Sequence, residues 1–261
     1  GLIDLDQNLK YRPRLAKSWT QFEEATLTLN TAVFLPGGKI AESAQDWPDT
    51  LLAALQGNKE WTQNLRFIEV IPGKTVLGEI EISQPEGKAG NGRERKGKEG
   101  REGREGTVGT QGREGKGKTI AYPIHQPPRL KFTLEKIDQD FFVPIKKWLG
   151  EDYFATFPYE KFIRAKDPAK QAALQSRYEE ILPIIEHNPV IVFDLRKDVT
   201  FHDGHPFDSG DVLFTYESIM NPKGTSPRKS DYEPVKNAEV LGPHKIRFTY
   251  KRLFSPAIGS W

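Results

Sequence analysis

A low-complexity tract divides the chain and limits where a hydrophobic core can form. Residues 86–118 contain 11 glycines and 16 charged residues, and Val108 is the only large apolar side chain among them. Such a composition cannot bury enough apolar surface to offset the entropy lost on folding. The glycines recur at every third residue from Gly97 to Gly115, as in collagen, but the tract lacks the prolines that stiffen a triple helix. We therefore predict that 86–118 is a disordered loop and that the sequence on either side of it folds.

Charge and cysteine content exclude several classes of protein and indicate none. The sequence has 38 basic and 36 acidic side chains, and the tract alone holds ten of the basic and six of the acidic ones. The rest of the chain is therefore mildly acidic, and the overall charge of +2 does not indicate an acidic partner. The lack of cysteine excludes disulfides, thiolate metal sites and cysteine nucleophiles. The longest apolar runs have about five residues, far fewer than the roughly 20 that span a bilayer.

Periodic apolar patterns predict both strands and helices, and hence an α/β chain with a mixed sheet of the α+β kind. Alternation of apolar and polar residues predicts strands at 76–82 and 130–134, so that the tract would connect two strands. Further strands are predicted at 26–30, 64–70, 190–196 and 245–250. Helical spacing predicts helices at 48–56 and 167–185, the second with an aspartate as its cap.

The segment 194–220 carries the strongest local signals in the sequence. His202, Asp203 and Gly204 supply turn chemistry, because glycine adopts a positive φ at no steric cost. Asp208 then stands where a helix N-cap is needed, and Asp211, three residues later, completes a capping box. The predicted buried stripe of this helix consists of Val212, Tyr216 and Ile219. The segment is therefore predicted to be a strand, a tight turn and a capped helix.

Three sequence blocks, in the same order, resemble the bacterial extracellular solute-binding proteins of family 5, the peptide-binding receptors of ABC importers. The family pattern has a Gly-Leu opening, a Pro-x-Leu-Ala-x-x-Trp motif, and a Leu-Arg strand followed by Phe-His-Asp-Gly, a proline, a helix that begins near Asp-Val and a further strand. The corresponding residues here are Gly1-Leu2, Pro13-Arg14-Leu15-Ala16 with Ser18-Trp19, Leu195-Arg196, Phe201-His202-Asp203-Gly204, Pro206, Asp211-Val212 and the run from Pro243 to Phe248. The resemblance covers residues 1–30 and 188–261.

The resemblance implies a lobe of the periplasmic-binding-protein kind. Residues 1–261 would form an incomplete first lobe, with the second lobe missing. In ordinary members of the family the tryptophan motif runs into the Leu-Arg strand over a short distance, whereas residues 31–187 separate them here. We interpret 31–187 as an insertion. Because half of the cleft would be absent, we expect weak solute binding, or none, by this chain alone.

The resemblance also implies a function. It indicates the substrate-binding component of an ABC transporter, which captures peptides or similar small solutes outside the cytoplasmic membrane and docks on a membrane permease. Such a receptor is not an enzyme, needs no cofactor, works as a monomer and is extracytoplasmic, with or without a lipid anchor. The solute stays open among peptides, nickel, sugars and opines. In the family the loop after the capped helix reaches the cleft, so Ser226 and Tyr232 are the candidate ligand-binding residues.

The turn and the cap form a structural motif in this family. Its residues in this chain are Phe201, His202, Asp203, Gly204, Pro206, Asp208 and Asp211. His202, Asp203 and His205, with the aspartates that follow, are also residue types that bind metal ions. The turn and the helix cap account for each of them, so no metal site is predicted.

Two alternatives belong to other functional classes. Residues 112–119 match the phosphate-loop pattern G-x-x-x-x-G-K-[ST] of nucleotide-binding enzymes. That function requires a strand before the pattern and a helix after it, whereas a charged repeat precedes it here and residues 120–123 show no helical start. The ten basic residues of the tract could contact nucleic acid. Six interspersed glutamates and the lack of aromatic residues argue against this, and no nucleic-acid partner is predicted.

Overall fold

Groups of strands and groups of helices follow one another along the chain in the computed structural model. The residues that it describes are 1–30, 34–35, 39–40, 43–82 and 118–261. The strands are β1 (Ile3–Leu5), β2 (Tyr11–Pro13), β3 (Ala16–Thr28), β4 (Phe34–Leu35), β5 (Lys39–Ile40), β6 (Leu65–Ile71), β7 (Lys74–Ile82), β8 (Lys118–Gln126), β9 (Arg129–Leu134), β10 (Ile185–Leu195), β11 (Val235–Gly242) and β12 (Lys245–Tyr250). The helices are α1 (Trp47–Leu55), α2 (Lys59–Asn64), α3 (Val143–Leu149), α4 (Glu151–Ala155), α5 (Tyr159–Phe162), α6 (Pro168–Gln175), α7 (Tyr178–Ile181), α8 (Ser209–Met220) and α9 (Lys229–Tyr232), with 3-10 turns at Ala44–Asp46 and Ser255–Ser260.

A six-stranded sheet forms the centre of the described structure, in the order β11-β12-β10-β3-β9-β6. The two longest strands, β3 and β10, pair in its middle from Ala16 opposite Leu195 to Leu27 opposite Ile185. The α/β class predicted from the sequence is confirmed. The predicted mixed sheet is corrected, because each strand pair within the described residues is antiparallel. None of the helices in this part of the chain has the length and hydrophobicity of a membrane span.

The segment predicted to be an insertion leaves and re-enters the sheet at neighbouring positions. The chain leaves at the end of β3 and returns at the start of β10, where the Thr28 N–H donates to the carbonyl oxygen of Ile184 at 2.7 Å. The Thr28 hydroxyl donates to the carbonyl oxygen of Pro183, also at 2.7 Å. A long segment between two paired strands can be added without disturbing their pairing. The interpretation of 31–187 as an insertion is compatible with this geometry and stays a prediction.

Two hydrophobic cores cover one face of the sheet. The first is built on β3, β9 and the helices α1 to α4, and Trp47 and Phe132 are fully buried in it. The second is built on β10, β12 and α8 around Phe193 and Phe248. Ile185 packs against the first core and Phe193 belongs to the second. These two residues are an even number of positions apart in β10, so both cores lie on the same face.

The opposite face of the sheet is polar. Ion pairs cross it from strand to strand: Arg247–Glu24, Lys131–Glu24, Lys131–Glu69, Arg129–Glu186 and Lys236–Glu186. Arg66 and Arg247 also lie over the ring of Phe22. The sequence pattern of the central strands, with apolar and polar residues in alternation, follows from this division into a core face and a charged face.

A two-stranded ribbon carries the low-complexity tract. β7 and β8 pair from Lys74 opposite Gln126 to Ile82 opposite Lys118, and β8 packs on a third core with Phe157, Ile163 and Leu174. The prediction that the tract leads directly to the strand at 130–134 was wrong, because β8 comes first and is the direct partner of β7. Lys118, predicted to be in the loop, is the first residue of β8. The rest of the predicted loop, from residue 86, lies outside the described residues.

The structure corrects the helix predicted at 167–185. Its start is confirmed, because the Asp167 carboxylate accepts the N–H of Ala169 at 2.9 Å and caps α6. The helix ends at Gln175, however, and α7 is a separate turn from Tyr178 to Ile181. The Arg177 N–H bonds back to the carbonyl oxygen of Leu174 at 2.9 Å, which closes the last turn of α6.

The remaining predicted helices and strands coincide in position with observed elements but differ from them in length. The helix at 48–56 and the strands at 64–70, 190–196 and 245–250 correspond to α1, β6, β10 and β12. The strand at 26–30 was placed too late and too short, because β3 begins at Ala16. Glu23 and Glu24 interrupt the apolar alternation of β3, and both are held by partners that are distant in the sequence.

Candidate functional site

A tight turn links β10 to α8 and is closed by its own hydrogen bonds. Gly204 has a φ of +86°, a conformation that glycine adopts without steric cost. Its N–H donates to the carbonyl oxygen of Phe201 at 2.9 Å. The Asp203 carboxylate accepts the N–H of the residue two positions later at 3.0 Å. Thr200 and Pro206 form a bridge across the base of the turn. The predicted turn at this position is confirmed.

The predicted capping box holds the start of α8. Asp208 Oδ1 accepts the N–H of Gly210 at 2.7 Å, and Asp211 Oδ2 accepts the N–H of Asp208 at 2.9 Å. The sequence did not indicate the role of Ser209, which is buried. Its hydroxyl donates to the carbonyl oxygen of Gly242 at 2.6 Å. The cap therefore also fixes α8 against the connection between β11 and β12.

The histidines of this segment do not form a metal centre with the aspartates. His202, Asp203 and His205 are all exposed on the turn. Within the described part of the chain, no group of three or more histidine, aspartate or glutamate side chains is arranged to hold a metal ion.

The phosphate-loop match lacks the structural context that nucleotide binding needs. Its last two residues, Lys118 and Thr119, are in β8 and pair with Ile82 and Glu81 of β7. A phosphate loop requires a helix after this position, so that N–H groups at the helix start can face the phosphates. The first six residues of the match lie outside the described residues. The structure gives no support to the nucleotide-binding alternative.

An apolar cavity of about 470 Å³ lies between the turn, α8 and α9. Its aromatic residues are Phe201, Phe207, Tyr216, Tyr232 and Trp261. We call it the aromatic pocket. Most of its lining comes from residues 199–232, the segment that contains the turn and the capped helix. The structure therefore joins the strongest sequence signal to a concave apolar surface.

Tyr232, one of the two predicted ligand-binding residues, forms part of the wall of the aromatic pocket. Its ring packs edge-on against Trp261 and Tyr216, with ring centres 4.8 and 6.1 Å away. Its hydroxyl donates to the carbonyl oxygen of Ser260 at 2.6 Å. Burial raises the pKa of the Tyr232 phenol, so the hydroxyl remains a donor at neutral pH. The side chain is fixed in place and presents its ring to the pocket.

The charged side chains that line the aromatic pocket already have partners. Arg228 donates to the carbonyl oxygen of Ser260 at 2.6 Å and to Asp231 at 3.2 Å, and its guanidinium lies 5.1 Å from the Tyr232 ring centre. The Asp211 carboxylate is held in the capping box. A ligand group in this pocket would therefore meet aromatic and aliphatic surface, and the charged side chains in its lining are already compensated.

Ser226, the other predicted residue, lies apart from this surface. It is half-buried, and its hydroxyl oxygen accepts the N–H of Arg228 at 3.3 Å. It is not among the residues that line the aromatic pocket. The structure thus does not bring the predicted pair together around one cavity, and a ligand role for Ser226 stays a prediction.

Sequence reasoning missed Trp261 and Arg228 as pocket residues. Trp261 stacks on Phe248 with ring centres 3.8 Å apart, and its Nε1 donates to the Tyr250 hydroxyl at 2.9 Å. No local pattern links residue 261 to residue 201 or 232. Val212, Tyr216 and Ile219 did carry a usable signal, because they were predicted to form the buried stripe of the capped helix, and all three line the pocket.

Comparison with known proteins gives matches to short parts of the chain. Residues 185–259 match the model of the bacterial extracellular solute-binding proteins, family 5 Middle. Protein XP55 of Streptomyces lividans is 29% identical over 89 residues, which are 34% of this chain and 15% of that protein. The oligopeptide-binding protein AppA of Bacillus subtilis (strain 168) is 35% identical over 57 residues, 22% of this chain and 10% of AppA.

Solved structures also match a short part of the chain. One of them is NikZ from Campylobacter jejuni in complex with Ni(L-His), with 32% sequence identity over 27% of this chain and 14% of NikZ, and a TM-score of 0.27. The matched regions thus span less than a sixth of each of these proteins. The turn, the capped helix and strands β10 to β12 all lie within the family match. Residues 185–259 are therefore similar to a segment of the bacterial extracellular solute-binding proteins of family 5.

Proposed function

We propose that this chain is part of a receptor that binds a small solute, a peptide or a similar molecule, outside the cytoplasmic membrane for import. The match of residues 185–259 to the family 5 model carries the proposal. The name of AppA describes an oligopeptide-binding protein, and NikZ was crystallised with a nickel–histidine complex. The first relative favours a peptide and the second a small chelate. In this function the solute is bound and released, and no bond is made or broken.

The aromatic pocket is the surface that we propose for solute contact. Its volume of about 470 Å³ is in the range of small-molecule sites, roughly 300–1,000 Å³. Its aromatic rings offer a large apolar area on rigid side chains. Because Arg228 and Asp211 are already paired, the pocket favours an uncharged apolar group, such as a hydrophobic side chain of a peptide. Tyr232 is the predicted ligand-binding residue that it contains.

The partners and location of the receptor follow from the family and are part of the proposal. We propose that the solute is enclosed between two lobes and that the loaded receptor, as a monomer, docks on an ABC permease. The family description supports an extracytoplasmic location. A lipid anchor would keep the receptor near the permease.

Calorimetric titration with short peptides tests this proposal. The intact protein in this test is the complete two-lobed receptor of which we propose this chain is part, because this chain alone is expected to bind weakly or not at all. Phe201 is the most suitable residue to replace, because it lines the pocket and is still half-exposed, so that Phe201→Ala should fold. We expect this variant to bind apolar peptides about tenfold more weakly, since burial of an aromatic ring contributes about 1.5 kcal/mol or more. Phe214→Ala is the matched control, because Phe214 is also exposed but does not line the pocket.

Different results would contradict the receptor function and the assignment of the aromatic pocket as its binding surface. If the intact protein binds no peptide and no metal chelate, solute binding itself is contradicted. If peptides bind but Phe201→Ala and Phe214→Ala weaken binding equally, the assignment of the aromatic pocket is contradicted and the receptor function stands.

A further inference from the structure

The first hairpin of the chain presents an apolar tip to solvent. Strands β1 and β2 pair with Leu5 opposite Tyr11, and the turn between them contains Leu9. The exposed fractions of these side chains are 79% for Leu9, 46% for Leu5 and 42% for Tyr11. Single exposed apolar residues are common on protein surfaces. Three on one small hairpin form a patch that calls for a specific explanation.

Leu9 is unfavourable at its position for a second reason. Its φ of +58° is in the left-handed region, where leucine is strained, and among the described residues it is the only non-glycine residue with a positive φ. The turn itself is fixed by Asp6, whose Oδ1 accepts the N–H groups of Asn8 and Lys10 at 2.8 and 2.9 Å. None of these bonds needs a leucine side chain. Asparagine or glycine would fit the backbone better, so the leucine is expected to serve a contact outside the hairpin.

The apolar face of the hairpin is continuous with the second core. Ile3 is buried in that core, and Leu5 is two residues further along the same strand, on the same face. Tyr11 is directly opposite Leu5. The face therefore runs outward from the core to an exposed tip, and the core holds the hairpin firmly at its base.

A basic cavity lies at the base of the hairpin. Its volume is about 630 Å³, and its charged lining consists of Arg14, Lys17, Arg196, Lys197 and Asp198. Arg196 pairs with Asp198 at 2.6 Å. Within the described residues, Arg14, Lys17 and Lys197 have no ion-pair partner. The cavity therefore has an excess of positive charge that suits a phosphate group.

The charges on the hairpin itself do not cancel this excess. Arg12 pairs with Asp4 at 3.1 Å, and the Asp6 carboxylate is used in the turn. Lys10, at the tip, has no ion pair in the part of the chain that the structure describes. The hairpin and the cavity at its base together combine exposed apolar side chains with the unpaired cations Arg14, Lys17 and Lys197, which is the combination found in segments that bind anionic membrane surfaces.

The distance between the apolar tip and the basic cavity fits the depth of a membrane interface. Pro13 lines the basic cavity, and Tyr11 is two residues away along β2, a distance of about 7 Å. Interfacial protein segments bury apolar groups about 5–10 Å into the boundary between headgroups and acyl chains. With Leu9, Leu5 and Tyr11 at that depth, the basic cavity would lie level with the lipid phosphates.

We propose that the β1–β2 hairpin and the adjacent basic cavity bind the surface of an anionic phospholipid bilayer. The apolar tip enters the interface, and Arg14, Lys17 and Lys197 hold lipid phosphates. The inference does not rest on solute binding, because the hairpin tip and the basic cavity use none of the residues that line the aromatic pocket. A soluble polyanion would use the cations but would not need the strained, exposed leucine.

Sedimentation of the intact protein with lipid vesicles tests the proposal. We expect binding to vesicles that contain phosphatidylglycerol and phosphatidylcholine, much weaker binding to phosphatidylcholine alone, and release by high salt. Leu9→Asn should weaken binding about tenfold through the loss of buried apolar area. It should leave the melting temperature unchanged or raise it, because asparagine tolerates this backbone conformation. Arg14→Gln with Lys17→Gln should weaken binding about fivefold for each charge removed.

Matched controls distinguish vesicle binding through the hairpin from nonspecific binding by other exposed side chains. Leu77 is 78% exposed on β7, far from the hairpin in sequence, and Leu77→Asn should not change vesicle binding. Lys59→Gln with Lys147→Gln removes two exposed cations elsewhere and should have little effect. Equal losses in the controls, equal binding to neutral vesicles, or no binding to any vesicle would each overturn the proposal. So would tight binding to a soluble acidic polymer combined with no effect of Leu9→Asn on vesicle binding.

Discussion

Glu23 of β3, whose side chain is fully buried, accepts a hydrogen bond from His187 Nδ1 of β10 at 2.5 Å. The second carboxylate oxygen of Glu23 accepts the N–H of Asp138 at 2.7 Å. The His187 ring packs edge-on against Phe142, with ring centres 5.0 Å apart. One buried carboxylate therefore joins the two central strands to the loop that leads into α3.

Loss of this carboxylate should strongly destabilise the fold. Glu23→Ala leaves the part-buried N–H of Asp138 and the His187 ring without this acceptor, and each buried donor left unpaired typically costs about 1–3 kcal/mol. Urea unfolding, followed by circular dichroism, measures the change in the free energy of unfolding.

Glu135→Ala is the control for the Glu23 variant. Glu135 pairs with Arg66 on the surface, and loss of an exposed pair should change stability little. If both alanine variants lose the same stability, the buried pair does not have the role that we assign to it.

Gly204 should be replaceable only at a cost in backbone strain. Gly204→Ala introduces a Cβ that meets no atom within 4 Å. The variant therefore measures the backbone strain of an alanine at a φ of +86°, without a contribution from a steric clash. We expect a loss of about 1 kcal/mol in the free energy of unfolding. Gly57→Ala is the matched control, because its Cβ would also be in open space and its φ is not in the left-handed region.

Gly57→Ala should be neutral or stabilise the fold by about 0.4–1 kcal/mol, because it restricts the unfolded chain. Thermal or urea unfolding of both variants checks the pair of predictions. A neutral Gly204→Ala would mean that the turn can relax to an ordinary backbone conformation.

Local chemistry made the turn and the cap predictable from sequence. Gly204, Asp208 and Asp211 act on residues two or three positions away, so their spacing alone specifies the hydrogen bonds. The strand β8 also carried a local signal, since Ile120, Tyr122 and Ile124 alternate and all three are buried. Pro123, opposite Leu77 in the ribbon, argued against a strand there.

Contacts between distant residues were not predictable in this way. Glu23 and His187 are 164 positions apart, and neither has a neighbour in sequence that indicates the other. The aromatic pocket combines Phe201, Tyr232 and Trp261 from three separate segments. A single sequence contains periodicity and capping signals but no record of which segments meet. The pairing of β3 with β10 was therefore outside its reach.

Alkaline pH should destabilise the fold through its buried tyrosines. Burial raises the pKa of Tyr250 to about 12 and also raises that of Tyr153, whereas the unfolded chain has tyrosine pKa values near 10. A raised pKa in the folded state contributes stability below pH about 10, and this contribution is lost as the pH rises through about 12. For Tyr250 the loss is on the order of 2 kcal/mol.

Urea unfolding at a series of alkaline pH values measures this effect. In Tyr250→Phe the free energy of unfolding should fall less steeply with pH than in the unmodified chain. Its stability at neutral pH should also be lower, because the Tyr250 hydroxyl donates to Ala257 at 3.0 Å and accepts from Trp261. Tyr11→Phe, at a half-exposed tyrosine, is the control. An unchanged slope in Tyr250→Phe would contradict the assignment.

Removal of the low-complexity tract should not weaken the fold. Ile82 and Lys118 are direct partners at the end of the β7–β8 ribbon. Replacement of residues 83–117 by Asn-Gly would join these strands through a two-residue turn, whose twist suits a hairpin. If the tract forms the disordered loop that its composition predicts, the shorter connection lowers the entropy of loop closure, by about 0.6 kcal/mol for each halving of loop length. We therefore expect an equal or higher free energy of unfolding, by up to about 2 kcal/mol.

Two measurements check the effect of this deletion. Urea unfolding gives the stability, and calorimetric titration with the same peptides gives the solute affinity, which should not change because the ribbon contributes no residue to the aromatic pocket. A deletion of residues 66–72 is the contrasting control, since it removes most of β6 from the sheet and should abolish cooperative unfolding. A large loss of stability or of peptide affinity on removal of 83–117 would show that the tract takes part in the fold or in the site, and its composition would then need another explanation.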